Sequence, residues 1–220
     1  NYKKKGKVAD LENFIGDKPV VGSIGIGHTR WATHGEPNDV NSHPHFSNSG
    51  DLVLIHNGII ENYDVLKKEL LKRGYTFKSD TDTEVLVNLI EEIKKQENVE
   101  TAEALRKALN QVTGAYAIVL IDENQPNTLI AARKSSPLVV GVGENEYFLA
   151  SDATPIIEYT KNVVYLNDEE IVIATPGEEL DLFTIKRESK TPYIQELEMQ
   201  LEAIEKGGYD HFMLKEIFEQ

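Results

Sequence analysis

Apolar and polar positions follow two regimes along this chain, and the change falls at Gly114. Upstream, residues 20–28 mix glycine with isoleucine and read as a first strand, packed closely against a neighbour. Residues 29–50 are rich in Pro, Asn, Ser, His and Gly and read as one long irregular region; such loops are usually functional or disordered. Strand character returns over 51–60. Residues 62–73 predict an amphipathic helix, with Val65, Leu66 and Leu70 sharing a face and Gly74 as its stop. Thr81-Asp82-Thr83-Glu84 has capping-box spacing and introduces a second helix, whose Val85, Leu86, Leu89, Ile90 and Ile93 form one stripe. A third is expected over 101–112, with Ala104, Leu105, Ala108 and Leu109 inward.

From Gly114 the period shortens to two, in runs at 115–121, 128–133, 138–142, 147–150, 163–166, 171–174 and 180–185. Closely spaced turn signals between them predict antiparallel meanders rather than βαβ crossovers. Helices clustered between two strand-rich blocks fit an α+β sandwich of two antiparallel sheets, with helices outside to bury their stripes. The tail from about Thr191 is highly charged, predicts some helix, and ends in mid-pattern as though cut.

With 220 residues there is ample chain for a core, and 40% hydrophobic residues is ordinary for a globular protein. No apolar run reaches membrane-spanning length and no charged-then-apolar leader is visible, so neither a membrane nor secretion is expected. A net charge of −14 argues against a nucleic-acid surface. The absence of cysteine excludes disulfides, thiolate metal sites and a cysteine nucleophile within these residues, and the simplest location is cytoplasmic.

Two polar clusters follow the apolar runs: His28-Thr29-Arg30-Trp31-Ala32-Thr33-His34-Gly35 and His56-Asn57-Gly58. Polar groups at the end of a strand sit on a rigid support. Arg30 there could grip a carboxylate or phosphate with its two-pronged donor set, or form a structural ion pair. Trp31, the only tryptophan, is either core packing or part of a lid. His34, His43 and His45, with His28 and His56, match no compact metal motif; hydrogen bonding that shapes the loop is the simpler account, and no metal is expected. Asn57-Gly58 could be turn chemistry, but the sequel leads towards a helix, and a side-chain amide beside a glycine N–H offers two donors for an oxyanion. Asp82 is accounted for by its place at a helix start, or it binds a ligand ammonium. A guanidinium, a carboxylate and two oxyanion donors together describe a site for an α-amino acid with a reactive side-chain carbonyl, which fits glutamine. Hydrolysis would need a nucleophile, for which Thr29, Thr33 and Ser42 are candidates by type alone.

At these residues the chain resembles the glutaminase (class II glutamine amidotransferase) domains of the glucosamine-6-phosphate synthase family, the isomerising glutamine–fructose-6-phosphate aminotransferases. The matching stretches are HTRWATHGEP from His28, NSHPH from Asn41, HNGIIENY from His56, RGYTFKSDTDTEV from Arg73, TGAYAIVLID from Thr113 and AARKSSPLVVG from Ala131. HFMLKEIFEQ from His211 resembles that family's connection into a sugar-phosphate isomerase half. The resemblance implies a four-layer αββα sandwich of the N-terminal-nucleophile hydrolase type, lacking its N-terminal segment, with the glutaminase domain at 1–190 and a connector at 191–220. It implies that Arg30 binds the glutamine α-carboxylate and Asp82 its α-ammonium, with Thr33 and His34 lining the pocket and His43 near it. Asn57 and Gly58 would form the oxyanion hole, and Trp31 would ride on a closing loop. No cofactor is implied. The partners implied are glutamine and, through the absent half, fructose 6-phosphate, in a homo-oligomeric full-length protein. The family's nucleophile is an N-terminal cysteine acting with its own α-amino group; these residues lack it, so the chain alone is expected to be inactive. An amidotransferase with a different acceptor and a non-catalytic glutamine-binding module are the alternatives.

Overall fold

In a computed structural model, residues 1–30 and 35–197 are described. A short helix that the apolar pattern does not signal comes first, α1 (Val8–Ile15), with no buried residue. The predicted strand over 20–28 is extended but pairs with no strand among the described residues. Its glycines at 22, 25 and 27 supply no side chains to pack, so ordering them into a ladder gains little. The period of two survives: Ile24, Ile26, His28 and Arg30 are half-buried while the residues between them are exposed. Within the region read as irregular, β1 (His45–Phe46) is a two-residue strand.

The remaining elements are β2 (Leu52–Ile60), α2 (Tyr63–Lys72), α3 (Asp82–Glu97), α4 (Thr101–Leu109), β3 (Gly114–Asp122), β4 (Leu129–Lys134), β5 (Val139–Val142), β6 (Tyr147–Ala150), β7 (Asn162–Tyr165), β8 (Glu170–Ala174), β9 (Asp181–Thr184), β10 (Ser189–Lys190) and β11 (Gln195–Glu196). They follow the sequence pattern closely as far as β9; the pattern does not signal the two-residue strands β10 and β11, and β11 lies in the tail expected to hold some helix. One face assignment fails: Val65 is 62% exposed, because the inward stripe of α2 runs through Tyr63, Leu66 and Leu70. Thr81 caps α3 as expected, accepting from Glu84 N at 3.3 Å. Glu84 does not complete the reciprocal box; its carboxylate turns back to Ser79 N at 2.7 Å and Lys78 N at 2.9 Å.

The strands form a seven-stranded sheet in the order β1-β2-β3-β4-β8-β9-β10 and a four-stranded sheet in the order β11-β7-β5-β6. Every pairing between named strands is antiparallel, and the large sheet is a meander interrupted once, where the chain leaves after β4, builds β5 to β7, and returns as β8. Alternation along β3 explains the layering. Ile118 and Leu120 face α3 and α4 in one core with Leu54, Leu86, Ile90 and Leu105. Ala117 and Val119 face the other way and meet Val140, Val164 and Leu166 of the small sheet's side in a second core. A third, smaller core lies beyond the small sheet, where Ile156 and Ile157 cover Val139 and Val163. Residues 151–160, which supply that outermost cover, are turns rather than helix. The chain is thus the expected α+β sandwich of two antiparallel sheets, and β11 at Gln195–Glu196 is still part of it, paired with β7.

Candidate active site

The end of β2, the start of α3 and the extended segment through Arg30 converge on one cleft of about 240 Å³, lined by Arg30, Asn57, Gly58, Thr81, Asp82 and Thr83 together with His28, His43, His56 and Ile59. Arg30, Asp82 and the Asn57-Gly58 pair, separated by up to fifty-two positions in sequence, therefore share one space. His43 is there as well. Trp31, Thr33 and His34 lie outside the described residues.

Backbone register places the Asn57-Gly58 pair. Between β2 and β3, Glu61 N donates to Thr113 O at 2.9 Å and Glu123 N to Asp51 O at 2.8 Å, so the hydrogen-bonded positions of β2 are the odd-numbered ones. Even-numbered residues direct their N–H groups to the opposite edge, and β1 covers that edge only at Val53 and Leu54. Beyond β1, Ile60 N donates to Asp82 Oδ2 at 2.8 Å. Gly58 is the preceding even position. It has φ +125°, and a Cβ there would stand 2.1 Å from the Ala115 carbonyl oxygen, so only glycine fits. Asn57 is exposed towards the cleft, with its Oδ1 2.6 Å from His28 Nε2.

Asp82 is 3% exposed at the first turn of α3, where the helix dipole and free N–H groups favour a carboxylate. Besides Ile60 N, it accepts from Thr83 N at 3.0 Å, and His56 Nδ1 lies 3.9 Å from Oδ2. Asp82 thus sits at a helix start and also lines the cleft. Arg30 donates to the carbonyls of Glu36 at 3.2 Å and Gly35 at 3.1 Å, which aims its guanidinium along the loop. Cation and anion thus stand on different elements around the same cleft as the Asn57-Gly58 pair, an arrangement suited to a small zwitterion.

Three of the histidines, His28, His43 and His45, form a column. The His28 and His43 rings are 4.1 Å apart between centroids, and His43 meets His45 edge-on at 5.1 Å. His45 Nε2 lies 3.2 Å from Thr81 Oγ1, so the loop-shaping role read from sequence includes a tie to the α3 cap. Burial is the main cause that lowers all three pKa values: His28 below its ordinary value, His43 far below it, and His45 down to about 3. Neutral imidazoles stack without mutual repulsion. Among the described residues, no group of three or more His, Asp or Glu side chains could hold a metal ion, and no helix is long and apolar enough to cross a membrane.

Two residues here carry more of the geometry than the sequence reading gave them. His28 was legible in principle: positions two apart on an extended segment face the same way, so His28 goes where Arg30 goes. Asn41 left no comparable signal. It is 1% exposed, and its amide joins Glu36 O at 3.1 Å and Asp80 Oδ2 at 3.3 Å.

A stacked pair of antiparallel sheets carrying helices outside and a polar cleft at a strand end is the N-terminal-nucleophile hydrolase type of α+β sandwich. The chain belongs to the glutamine amidotransferase domain family, whose sequence profile residues 28–158 match. Over 219 residues, it is 60% identical to the glutamine–fructose-6-phosphate aminotransferase (isomerizing) of Bacteroides thetaiotaomicron, covering 100% of this chain and 36% of that one. The enzyme of the same name from Chlorobaculum tepidum is 52% identical, with 99% and 36% covered. The chain thus spans about a third of the length of these curated relatives. Among solved structures, the glutamine phosphoribosylpyrophosphate amidotransferase of B. subtilis, complexed with ADP and GMP, superposes with a TM-score of 0.59 at 27% identity, covering 72% of this chain and 34% of that one. An allosteric regulatory enzyme of purine biosynthesis superposes equally, at 28% identity.

Proposed function

We propose that residues 1–190 form the glutaminase domain of an enzyme that makes glucosamine 6-phosphate and glutamate from fructose 6-phosphate and glutamine, with the connector towards the second half starting at about Thr191 and still pairing with the sandwich through β11. The observation that carries this reading is the shared cleft of Arg30, Asp82 and Asn57-Gly58. The names of the relatives at 60% and 52% identity supply the acceptor.

In this reading Arg30 takes the α-carboxylate of glutamine with two parallel N–H donors, and Asp82 takes the α-ammonium. The side-chain carbonyl then lies beside Asn57 Nδ2 and Gly58 N–H. A thiolate from a cysteine outside these 220 residues attacks that carbonyl carbon, and the two donors stabilise the oxyanion that forms. Collapse of the adduct expels ammonia, once the leaving nitrogen is protonated, and leaves a thioester that water cleaves to glutamate. Ammonia passes to the acceptor. Thr33 and His34 complete the pocket, His43 supports it through His28, and Trp31 closes over bound glutamine. The absence of cysteine and of any long apolar helix among the described residues suits a cytoplasmic enzyme.

The test is a glutaminase assay on the complete protein, followed by an assay of ammonia transfer to fructose 6-phosphate or to phosphoribosyl pyrophosphate. Glutamate release with transfer to fructose 6-phosphate is expected. Transfer to the pyrophosphate would assign a different acceptor, and glutamine binding without hydrolysis would assign a non-catalytic module.

A further inference from the structure

The surroundings of the Asn57 amide distinguish its two ends. Oδ1 is 2.6 Å from His28 Nε2, and among the described residues no group accepts from Nδ2. An amide oxygen offers lone pairs only, so the hydrogen in this contact belongs to His28 Nε2. If the amide were turned over, its NH₂ would face that N–H unless the ring's hydrogen moved to Nδ1, a buried atom with no hydrogen-bond partner among the described residues to receive it. The imidazole is itself fixed in place. It lies on the extended segment beside half-buried Ile26, and the His43 ring packs against it at 4.1 Å with a tilt of 47°. His43 rests on His45, and His45 on Thr81. The column therefore runs from the cap of α3, the helix that carries Asp82, to the amide that faces the cleft.

We propose that His28 is a positioning residue for the oxyanion hole: by donating to Asn57 Oδ1 it holds the amide with Nδ2 towards the cleft, next to the Gly58 N–H. This rests on the reading of Asn57 and Gly58 as oxyanion donors. The physical reason that such a lock matters is preorganisation. A donor that must rotate into place when charge develops gives back part of the stabilisation that a fixed donor supplies. His28 makes this contact in the neutral state, so it adds no charge that would favour bound substrate over the transition state. Its effect belongs in turnover.

The experiment measures steady-state glutamine hydrolysis by the complete protein for His28→Ala, His28→Gln, His28→Asn, Asn57→Ala and the double variant His28→Ala/Asn57→Ala. His28→Ala is expected to lower kcat by about tenfold, the worth of one good hydrogen bond, with KM within about twofold of the parent. The amide of His28→Gln reaches Asn57 and should recover most of the rate; the shorter His28→Asn should not, and this pair gives the answer even if the alanine variant fails to fold. The double variant should be no slower than Asn57→Ala alone. The proposal is overturned if the two losses multiply, if His28→Ala raises KM while leaving kcat unchanged, or if Gln and Asn at position 28 behave alike. Should Asn57→Ala itself turn over at the parent rate, the oxyanion reading falls and this inference with it; should only the His28 variants be unaffected, the oxyanion reading stands and the lock alone is rejected.

Discussion

Asn41 and Asp80 are joined twice: Asp80 N donates to Asn41 Oδ1 at 3.0 Å, and Asn41 Nδ2 donates to Asp80 Oδ2 at 3.3 Å. The same Nδ2 reaches the Glu36 carbonyl, which also accepts from Arg30. One buried amide therefore sets the distance between the loop that aims Arg30 and the start of the helix that carries Asp82. Gly35 belongs to the same clamp, since a Cβ there would stand 2.5 Å from Asn41 Nδ2 and 2.9 Å from Asp80 Cβ. Asn41→Ala leaves buried partners unsatisfied and should cost about 1–3 kcal/mol in urea unfolding. If Arg30 and Asp82 hold the substrate's two charges, it should also raise KM for glutamine in the complete protein by about tenfold with a smaller change in kcat, because it disturbs their spacing. Destabilisation with an unchanged KM would reject the clamp's part in binding.

If Arg30 holds an α-carboxylate and Asp82 an α-ammonium, each should matter only to substrates that carry its partner. Arg30→Ala is expected to cost about 1.5–3 kcal/mol in kcat/KM for glutamine. It should leave hydrolysis of 4-aminobutanamide, which lacks the carboxylate, almost unaltered. Asp82→Asn should show the opposite preference, sparing glutaramate, which lacks the ammonium. Equal losses on all three substrates would mean that these side chains organise the fold and touch no substrate.

If Asn57 and Gly58 are the oxyanion donors, the two neighbours should fail differently. Asn57→Ala keeps the strand and should slow turnover by about 10²–10³-fold with little effect on KM. Gly58→Ala puts a methyl group 2.1 Å from the Ala115 carbonyl oxygen at φ +125°, so β2 and β3 would have to separate where β2 lines the cleft. That variant should lose activity and thermal stability together, which differential scanning calorimetry and a glutaminase assay would register side by side.

Much of this was legible because each element states its environment in its period. The stripe of α3 at Val85, Leu86, Leu89, Ile90 and Ile93 is buried as read, and the runs after Gly114 became strands in their expected places. The failures have physical causes. Residues 20–28 carry strand-like alternation, but the sequence of a strand does not name its hydrogen-bonding partner, and among the described residues there is none. Strand β1 is too short to make a period, and its partners, β2 through the backbone and the α3 cap through His45, are distant in sequence. The convergence of Arg30, Asp82 and Asn57-Gly58 was readable as chemistry, since the three residue types complement one zwitterion. Asn41 was not, because a buried asparagine is defined by partners distant in sequence.

The imidazole column gives the fold a pH dependence whose sign follows from burial. His43 and His45 bind protons less readily in the folded chain than at the ordinary imidazole value, and His28 shares the direction. Between the unfolded value near 6.5 and the folded value of about 3 for His45, the unfolded chain carries the extra proton. Stability is therefore complete above about pH 6.5 and falls as the pH drops. Measured by urea unfolding between pH 7 and 5, above the range in which the carboxylates titrate, the buried His45 imidazole should cost about 1–2 kcal/mol. His45→Gln should flatten the profile, and an unchanged slope would show that this ring is not held neutral.

Asp122 should be the costliest polar side chain to remove from the scaffold behind the cleft. It ends β3 with a fully buried carboxylate, paired with Lys94 of α3 and accepting from Thr101 at the start of α4. Asn124 N completes its shell at 2.9 Å. Burial alone would raise its pKa, yet the donors from Lys94, Thr101 and Asn124 outweigh burial and hold it below the ordinary value. Its contribution is therefore present at neutral pH and is lost only as the pH falls through the carboxylate range. Asp122→Ala would strand the half-buried Lys94 ammonium and loosen both helices from the sheet at once, at about 3–5 kcal/mol in equilibrium urea unfolding. Since α3 also carries Asp82, glutamine KM should rise in the same variant. A drop in stability below about 1 kcal/mol would mean that water replaces the lost carboxylate and that the clasp is not what seats α3.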